Sequence, residues 1–330
     1  MAKTDKEDRT VGLRAIGEGR ADRQRGKFTR ATPGLTLAAV AGIAITLITY
    51  NYFSQRSLDA NKTALLAKQR AAVATVGASW NPLRDKLEKI TIESAANFSD
   101  DDFIAEGAAK FDFRSMPGIY LRLRVADAHN VEKIREQAQE SSRDAFCGCL
   151  LKEPNEAAAK GYADAGGAPS QPWNMWEAYS STRVLSDAWA ADVRDSTDDL
   201  RLRVFQQQYD KATTDEIPMA IDIIKRSRFF MLVLDEDVHE AKAKADGGAI
   251  SEEILQTVPH DTRIRIVNTQ TWDDIARLKR TGVGELIAVG EHAPEDPETH
   301  DAMTRQMQNC SLAMQVGQAI GFDKDRAPPK

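Results

Sequence analysis

The chain has 330 residues, of which 42% are hydrophobic and 28% are charged, so one or two domains can bury a sizeable core. Residues 1–30 hold nine Lys and Arg against five Asp and Glu, whereas the rest of the chain holds 35 against 45 and has a net charge of −10. Nucleic-acid binding requires clustered basic side chains, so the acidic balance argues against a nucleic-acid partner.

The first two segments predict a tail and a membrane span. Residues 1–30 are basic and poor in bulky apolar side chains, which is typical of a disordered tail. Residues 31–54 predict a transmembrane helix, because about 20 uncharged, mainly apolar residues at about 1.5 Å per residue match a hydrocarbon core of about 30 Å. We expect an uncleaved signal anchor rather than a buried core helix or a cleaved signal peptide, since no small-residue cleavage site follows the apolar run. Aromatic side chains at its end suit the lipid headgroup region: Tyr50, Tyr52 and Phe53.

Basic residues near the span set its expected orientation. Five precede it closely and three follow it within a similar distance, which favours a cytoplasmic N-terminus and a C-terminal domain outside the cytoplasm, in the periplasm if the cell is bacterial. Gly34, Ala38 and Gly42 form a ladder of small residues that would let two such helices approach closely. Gly and Ala are common in membrane spans, so a chance pattern is the alternative to a dimer face.

Beyond the span, the pattern predicts a stalk and one soluble domain. Residues 55–80 are rich in Ala, Lys and Gln and favour a helical stalk. Pro82 should end or kink this helix, because a proline disfavours helical geometry in the residue before it. The soluble α+β domain is then expected over residues 81–322, with a polar tail at residues 323–330.

The first half of this domain shows two helix caps and one strand. Ser99, followed by three Asp residues, predicts a helix start. Residues 119–125 alternate apolar and polar side chains, so we expect a strand with one face towards water. Asn130 should cap a helix over residues 131–151, and residues 157–172 predict a loop rich in Ala, Gly and Pro.

The second half mixes helices with apolar strands. Residues 173–209 predict one long helix, or two helices broken near residues 195–197. The apolar run at residues 229–234 predicts a central buried strand. Residues 264–266 predict a strand, and residues 272–280 suit either a helix or the returning arm of a hairpin, of which we favour the hairpin because the turn is short. A short strand at residues 286–289 and an amphipathic helix at residues 298–320 that packs on the sheet are also expected. No regular βαβ repeat is visible, so a layered α+β architecture is predicted.

No signature of a known catalytic site is present. Nucleophile-elbow, zinc-protease, Walker and dinucleotide-binding motifs are absent, so no cofactor or metal is predicted and catalysis is not expected. His292 and His300 lie among acidic residues, where we favour a solvated loop over a surface metal site. Asn309 begins an Asn-Cys-Ser tripeptide that fits the glycosylation pattern, which matters only in a eukaryotic secretory pathway.

The three cysteines are the most distinctive local feature. In an oxidising compartment, either Cys149 or Cys147 would pair with Cys310, since both lie on elements expected to pack in the core. The alternative is that all three are buried small hydrophobic residues, as free cysteines often are.

Together these patterns predict a single-pass, membrane-anchored protein of the cell envelope with an interaction or scaffold role. Its expected partners are the membrane and either other proteins or further copies of the chain. An extracytoplasmic ligand-sensing domain and an enzyme with an unrecognised site are the alternatives.

Overall fold

In a computed structural model of the chain, the structure describes residues 33–151, 172–245, 248–283 and 296–321, with the side chains of residues 33–40, 142 and 143 excepted. The chain divides into two compact units, Met1–Thr63 and Ala64–Lys330. The helices are α1 (Pro33–Ala96), α2 (Val131–Gln137), α3 (Phe146–Leu151), α4 (Met175–Thr182), α5 (Asp187–Asp195), α6 (Asp199–Lys211), α7 (Ile217–Arg226), α8 (His239–Lys244), α9 (Glu252–Leu255) and α10 (Pro297–Ile320). The strands are β1 (Phe103–Ile104), β2 (Gly118–Arg124), β3 (Trp173–Asn174), β4 (Phe229–Asp235), β5 (Asp261–Asn268) and β6 (Asp274–Thr281).

The first unit contains the N-terminal part of α1. Every residue from position 41 to position 57 is exposed, although most of these side chains up to Phe53 are apolar. The hydroxyl of Thr46 donates to the Gly42 carbonyl at 2.8 Å, and that of Thr49 donates to the Ile45 carbonyl at 2.8 Å. These bonds satisfy two polar groups within the helix itself. Among the described residues, no helix is both long enough and apolar enough to cross a membrane.

The second unit begins earlier than residue 81, within α1. Leu65 is only 3% exposed, and Trp80, Leu87 and Ile90 are also buried, so this part of the helix belongs to the core of the unit. The prediction that the helix ends near Pro82 is wrong, because α1 continues to Ala96. Because Pro82 has no N–H, the carbonyl of Ala78 four residues earlier lacks its helical hydrogen bond. Ala78 is exposed, so water can bond to this carbonyl instead.

The mixed sheet has six strands in the order β1-β6-β5-β4-β2-β3. Strand β4 lies in the middle, parallel to β2 and antiparallel to β5, and all seven of its residues are buried. The central-strand prediction is confirmed. The hairpin prediction is also confirmed, because β5 pairs antiparallel with β6. Its turn is held by the Asn268 carboxamide, which accepts from the Gln270 amide at 2.8 Å.

Two apolar layers cover the sheet, which confirms the α+β class. One face packs against α1, α2 and α4 through β-strand residues such as Leu121 and Leu232. The other face packs against α3 and α10 through residues such as Met231 and Ile266, so the predicted packing of the last helix on the sheet is confirmed. Since both faces are covered, the prediction that β2 has a water-facing side is wrong.

Gly118 of β2 lies opposite Phe229 of β4 and against its ring. A Cβ atom there would lie 2.2 Å from Cζ of Phe229, whose ring is fully buried. Only glycine leaves room for this ring in the present register.

Two predictions about helices in the first half of the domain fail. Ser99 starts no helix, because the acidic residues after it pair with β6: the Asp102 carboxylate accepts from Arg280 at 2.6 Å. Asn130 does cap a helix, accepting from the Lys133 amide at 2.8 Å, but α2 ends at Gln137 and α3 begins only at Phe146. The buried side chain of Asp144 caps this second start, and the helix predicted as one is two.

The region from Trp173 to Tyr209 is divided more finely than predicted. The break near residues 195–197 is confirmed, because α5 ends at Asp195 and the Asp198 carboxylate caps α6. A further break at Ser186 was not predicted; its hydroxyl accepts from the Trp189 amide at 3.1 Å and starts α5. The predicted strand at residues 286–289, the polar tail after residue 322 and nearly all of the predicted loop at residues 157–172 lie outside the described residues.

Candidate functional site

A buried ion pair joins the carboxyl ends of the two parallel strands β2 and β4. The Arg122 guanidinium donates to both carboxylate oxygens of Asp235, from Nε at 2.6 Å and from Nη2 at 3.1 Å. The two side chains are 1% and 0% exposed. Two parallel bonds between a planar guanidinium and a carboxylate make this the strongest type of hydrogen-bonded pair. Alternation along β2 directs Arg122 towards the α10 layer, where its other donor reaches the Asn309 carboxamide of α10.

His260 extends this pair into a network. Its Nε2 lies 3.0 Å from Oδ1 of Asp235, and its Nδ1 lies 2.8 Å from the Val258 carbonyl, so both ring nitrogens lie within hydrogen-bond distance of an oxygen. The Thr262 hydroxyl donates to the same Asp235 oxygen at 2.8 Å. Asp235 thereby receives bonds from β2, from β5 and from the loop before β5.

Burial and charge push two neighbouring carboxyl groups in opposite directions. Burial alone would raise the pKa of Asp235, but the charge of Arg122 and the bond from His260 outweigh it and hold that pKa well below its usual range. Burial and the negative charge of Asp235 raise the pKa of Glu252 well above its usual range. The shared surroundings of the pair therefore favour the charged form of Asp235 and the neutral form of Glu252.

Asp144 connects the network to the surface. The Tyr120 hydroxyl donates to Oδ2 of Asp144 at 2.5 Å, and Nη1 of Arg122 lies 3.9 Å from the same oxygen. Burial raises the pKa of Asp144, although Arg122 and the Tyr120 bond act against this rise. Asp144 also lies in the wall of two neighbouring cavities beside α10.

These cavities form the candidate binding cleft: residues of α3, β3, α4 and α10 line the larger cavity, and residues of α9 and α10 line the smaller one. The larger cavity has a volume of about 690 Å³, and its lining includes Asp144, Trp173, Glu177 and Met314. The smaller one, about 270 Å³, shares Asp144, Ala145 and Gln306 with it. The cleft thus offers an aromatic ring, two carboxyl groups and sulfur atoms, which suits binding of a small molecule with apolar and hydrogen-bonding parts.

The network itself has too little access to solvent for direct chemistry on a substrate. Arg122, Asp235 and His260 are each at most 2% exposed. What the arrangement does is fix β2, β4, β5 and α10 to one another at the floor of the cleft.

The structure brings together two of the three cysteines. Cys149 of α3 and Cys310 of α10 are joined as a disulfide with Cα atoms 5.0 Å apart, and both line the larger cavity. Cys147 is a buried free thiol, and burial raises its pKa well above the ordinary value. Formation of the Cys149 to Cys310 bond in the cell stays a prediction.

The other residues singled out from sequence fall elsewhere. The side chains of Gly34 and Ala38 lie outside the described residues, and a Cβ at Gly42 would meet no atom within 4 Å. His300 is half-exposed beside Asp301, whereas His292 lies outside the described ranges. Within residues 33–151, 172–245, 248–283 and 296–321, no three His, Cys, Asp or Glu side chains are grouped to hold a metal ion. Asn309 is 2% exposed and bound to Arg122, so in the folded chain it is no acceptor for a glycan.

Sequence reasoning missed the network. The alternation along residues 119–125 predicts a water-facing side for Arg122, and no motif marks His260. Two charged residues could have indicated the network: Asp235, which ends the apolar run of β4, and Arg122, which lies inside the apolar strand β2. Charged side chains in such strands are almost always paired.

No protein-family model, curated protein or solved structure matches the chain.

Proposed function

We propose that this protein is a single-pass, membrane-anchored interaction or scaffold protein whose soluble unit lies outside the cytoplasm. The observation that carries the proposal is the apolar, fully exposed stretch of α1. Ile43 and Ile45 point about 200° apart around the helix axis, yet they are 62% and 63% exposed. A helix that is apolar on all sides needs an apolar environment, and lipid supplies one. Residues 31–54 are accordingly the proposed span.

Two observations support an extracytoplasmic location for the soluble unit. The excess of basic residues before the span favours a cytoplasmic tail. The placement of Cys149 beside Cys310 suits an oxidising compartment, since disulfides persist outside the cytosol.

The interaction role is supported by exposed apolar side chains on the soluble unit. Leu200 and Val204 lie one turn apart on α6 and are 74% and 45% exposed. An exposed apolar pair of this kind suits a protein partner or a second copy of the chain.

Charge insertion tests the anchor. Replacing Ile45 and Ile48 with lysine should move the protein from the carbonate-resistant membrane fraction to the soluble fraction, because each charge at the centre of a span costs about 2.5–3.5 kcal/mol. The matched control is Ala74→Lys, at an exposed position of the same helix in the second unit. Retention of the double variant in the membrane would refute the anchor.

Thiol labelling in intact cells tests the orientation. Lys242→Cys, at an exposed position of α8 and in a chain whose three native cysteines are serine, should react with a membrane-impermeant maleimide, whereas Thr4→Cys should react only after lysis. The reverse pattern would place the soluble unit in the cytoplasm.

Photocrosslinking tests the interaction role. A photoreactive amino acid at Leu200 should give one discrete adduct, with the mass of two chains for a homo-oligomer or a different mass for another partner. The same group at Lys242, an exposed position of α8, should give none. Equal yields at the two positions would argue against an interface at α6.

The cleft favours ligand sensing as a second candidate function. Its larger cavity has the size of a small-molecule site. A screened compound that raises the melting temperature of the full-length protein should lose this effect when Trp173 is replaced by alanine. Compounds that stabilise both proteins equally would place binding elsewhere.

A further inference from the structure

The candidate binding cleft contains several sulfur atoms that have no part in the proposed function. Cys149 and Cys310 face the larger cavity, and Met314 lines the same cavity one helical turn after Cys310. Residues four apart on a helix are neighbours, with Cβ atoms about 5–6 Å apart. Two sulfur atoms from α10 and two from α3, one of them that of the buried Cys147, therefore lie around one space.

We propose that reduction of the Cys149 to Cys310 disulfide turns this place into a Cu(I) site with Cys149, Cys310 and Met314 as its ligands. Thiolate and thioether are soft ligands, and together they select Cu(I) over harder divalent ions. Zinc prefers four ligands in a tetrahedral arrangement and takes nitrogen, oxygen and thiolate donors, so a thioether in third place favours copper.

The surroundings of these sulfur atoms fit a metal site that exchanges with solvent. Cys149, Cys310 and Met314 are each partly exposed, and the cavity of about 690 Å³ gives an ion a path to them. Met307 and Met303 are 36% and 41% exposed and continue the row of sulfur atoms along α10. Spacing by four, three and four residues keeps the three methionines and Cys310 on one side of the helix.

Redox state gates the site. A dithiol reductant supplies two electrons and two protons, so the disulfide becomes two thiols while the reductant becomes a disulfide. One Cu(I) ion then displaces one proton from each thiol and binds both thiolates. The oxidised chain offers no thiolate from this pair and holds no copper there. This site does not depend on the anchor, so its failure would leave the proposed function standing.

Cysteine 147 provides a built-in control. It lies two residues from Cys149 and lines the same cavity, but its side chain is buried and it takes no part in the bond with Cys310. A site formed by the Cys-Gly-Cys sequence would require it, whereas the proposed site does not.

The test is competition for Cu(I) between the full-length protein in detergent micelles and a chromophoric Cu(I) chelator, without oxygen. Protein reduced with a phosphine, which is then removed, should take up one Cu(I) per chain, and oxidised protein should take up none. Met314→Leu should weaken binding at least about tenfold, the lower end of what loss of a supporting group costs a metal site. This exchange nearly conserves volume, so the variant should fold, as its melting temperature will confirm.

Three further variants separate the ligands from their neighbours. Cys149→Ser should abolish tight binding, whereas Cys147→Ser and Met219→Leu should retain one Cu(I) per chain, Met219 being an exposed methionine of α7. The proposal is overturned if reduced protein takes up no Cu(I), if Cys147→Ser loses the ion, or if Met314→Leu binds as tightly as the natural chain.

Discussion

Replacing Arg122 with methionine removes the only guanidinium bonded to Asp235 among the described residues. Methionine preserves most of the apolar stem, so the change acts mainly on charge. Asp235 is 0% exposed and would remain buried without its cation. Breaking a buried pair by removing one partner costs about 3–5 kcal/mol, and we expect the free energy of unfolding to fall by this amount near neutral pH.

The loss should depend on pH in a defined direction. In the natural chain the pKa of Asp235 is lower than in the unfolded state, where it is near 3.8, so the pair contributes stability above that pH and loses it as the pH falls through the folded value. Without Arg122 this contribution is absent. The difference between the two proteins should therefore be full at neutral pH and shrink below about pH 4.

Urea unfolding of the full-length protein in detergent micelles, followed by near-ultraviolet circular dichroism, measures these differences. The control is Arg124→Met on the same strand, where pairs with Asp127 and Asp237 lie near solvent and a change within about 1 kcal/mol is expected. Adding Asp235→Asn to Arg122→Met should recover most of the loss, because it removes the unpaired charge. Equal effects of Arg122→Met and Arg124→Met would refute the assignment of a buried ionic network.

Three other substitutions test separate features by the same unfolding assay. Glu252→Gln should raise the free energy of unfolding at neutral pH but not near pH 4. In the natural chain the folded state retains the proton of Glu252 that the unfolded state releases above about pH 4.5, so the stability of the natural chain falls as the pH rises. Parallel curves of stability against pH for the two proteins would contradict this. Gly118→Ala should cost about 1–3 kcal/mol by overpacking against Phe229, whereas Gly107→Ala, with no atom within 4 Å of the added Cβ, should change little; equal costs would show that the ring gives way. Pro82→Ala should add up to about 3 kcal/mol if α1 is continuous there, and no gain would indicate a break.

Sequence patterns within a few residues predict much of the fold. The apolar run of β4 is long enough and pure enough to fix a buried strand, and the short polar turn at Asn268 fixes a hairpin because few other connections have that length. The N-cap Asn130 marks a helix start through its own hydrogen bond. Such features depend on neighbours within a few residues, which a sequence displays directly.

The predictions that proved wrong share a different physical cause. Whether Asp102 begins a helix or pairs with Arg280 depends on a strand 178 residues away in sequence. The polar residues of β2 predict a water-facing side, but the α10 layer covers them in the fold. Pro82 predicts a helix end, but packing of Trp80 and Leu87 holds the helix on both sides of the proline. Tertiary packing decides each case, and no local pattern reports it.

The bond from Arg122 to Asn309 joins residues 187 positions apart, and the Cys149 to Cys310 pair spans 161. Contacts of such long range form late, because the entropy of closing a large loop must be met before they contribute. A growing chain that has exposed β2 and β4 still holds Arg122 without its α10 partner until the last helix has emerged from the ribosome. Completion of this core therefore waits for α10, and a chain truncated before Asn309 should be a substrate for quality control rather than a smaller version of the same domain.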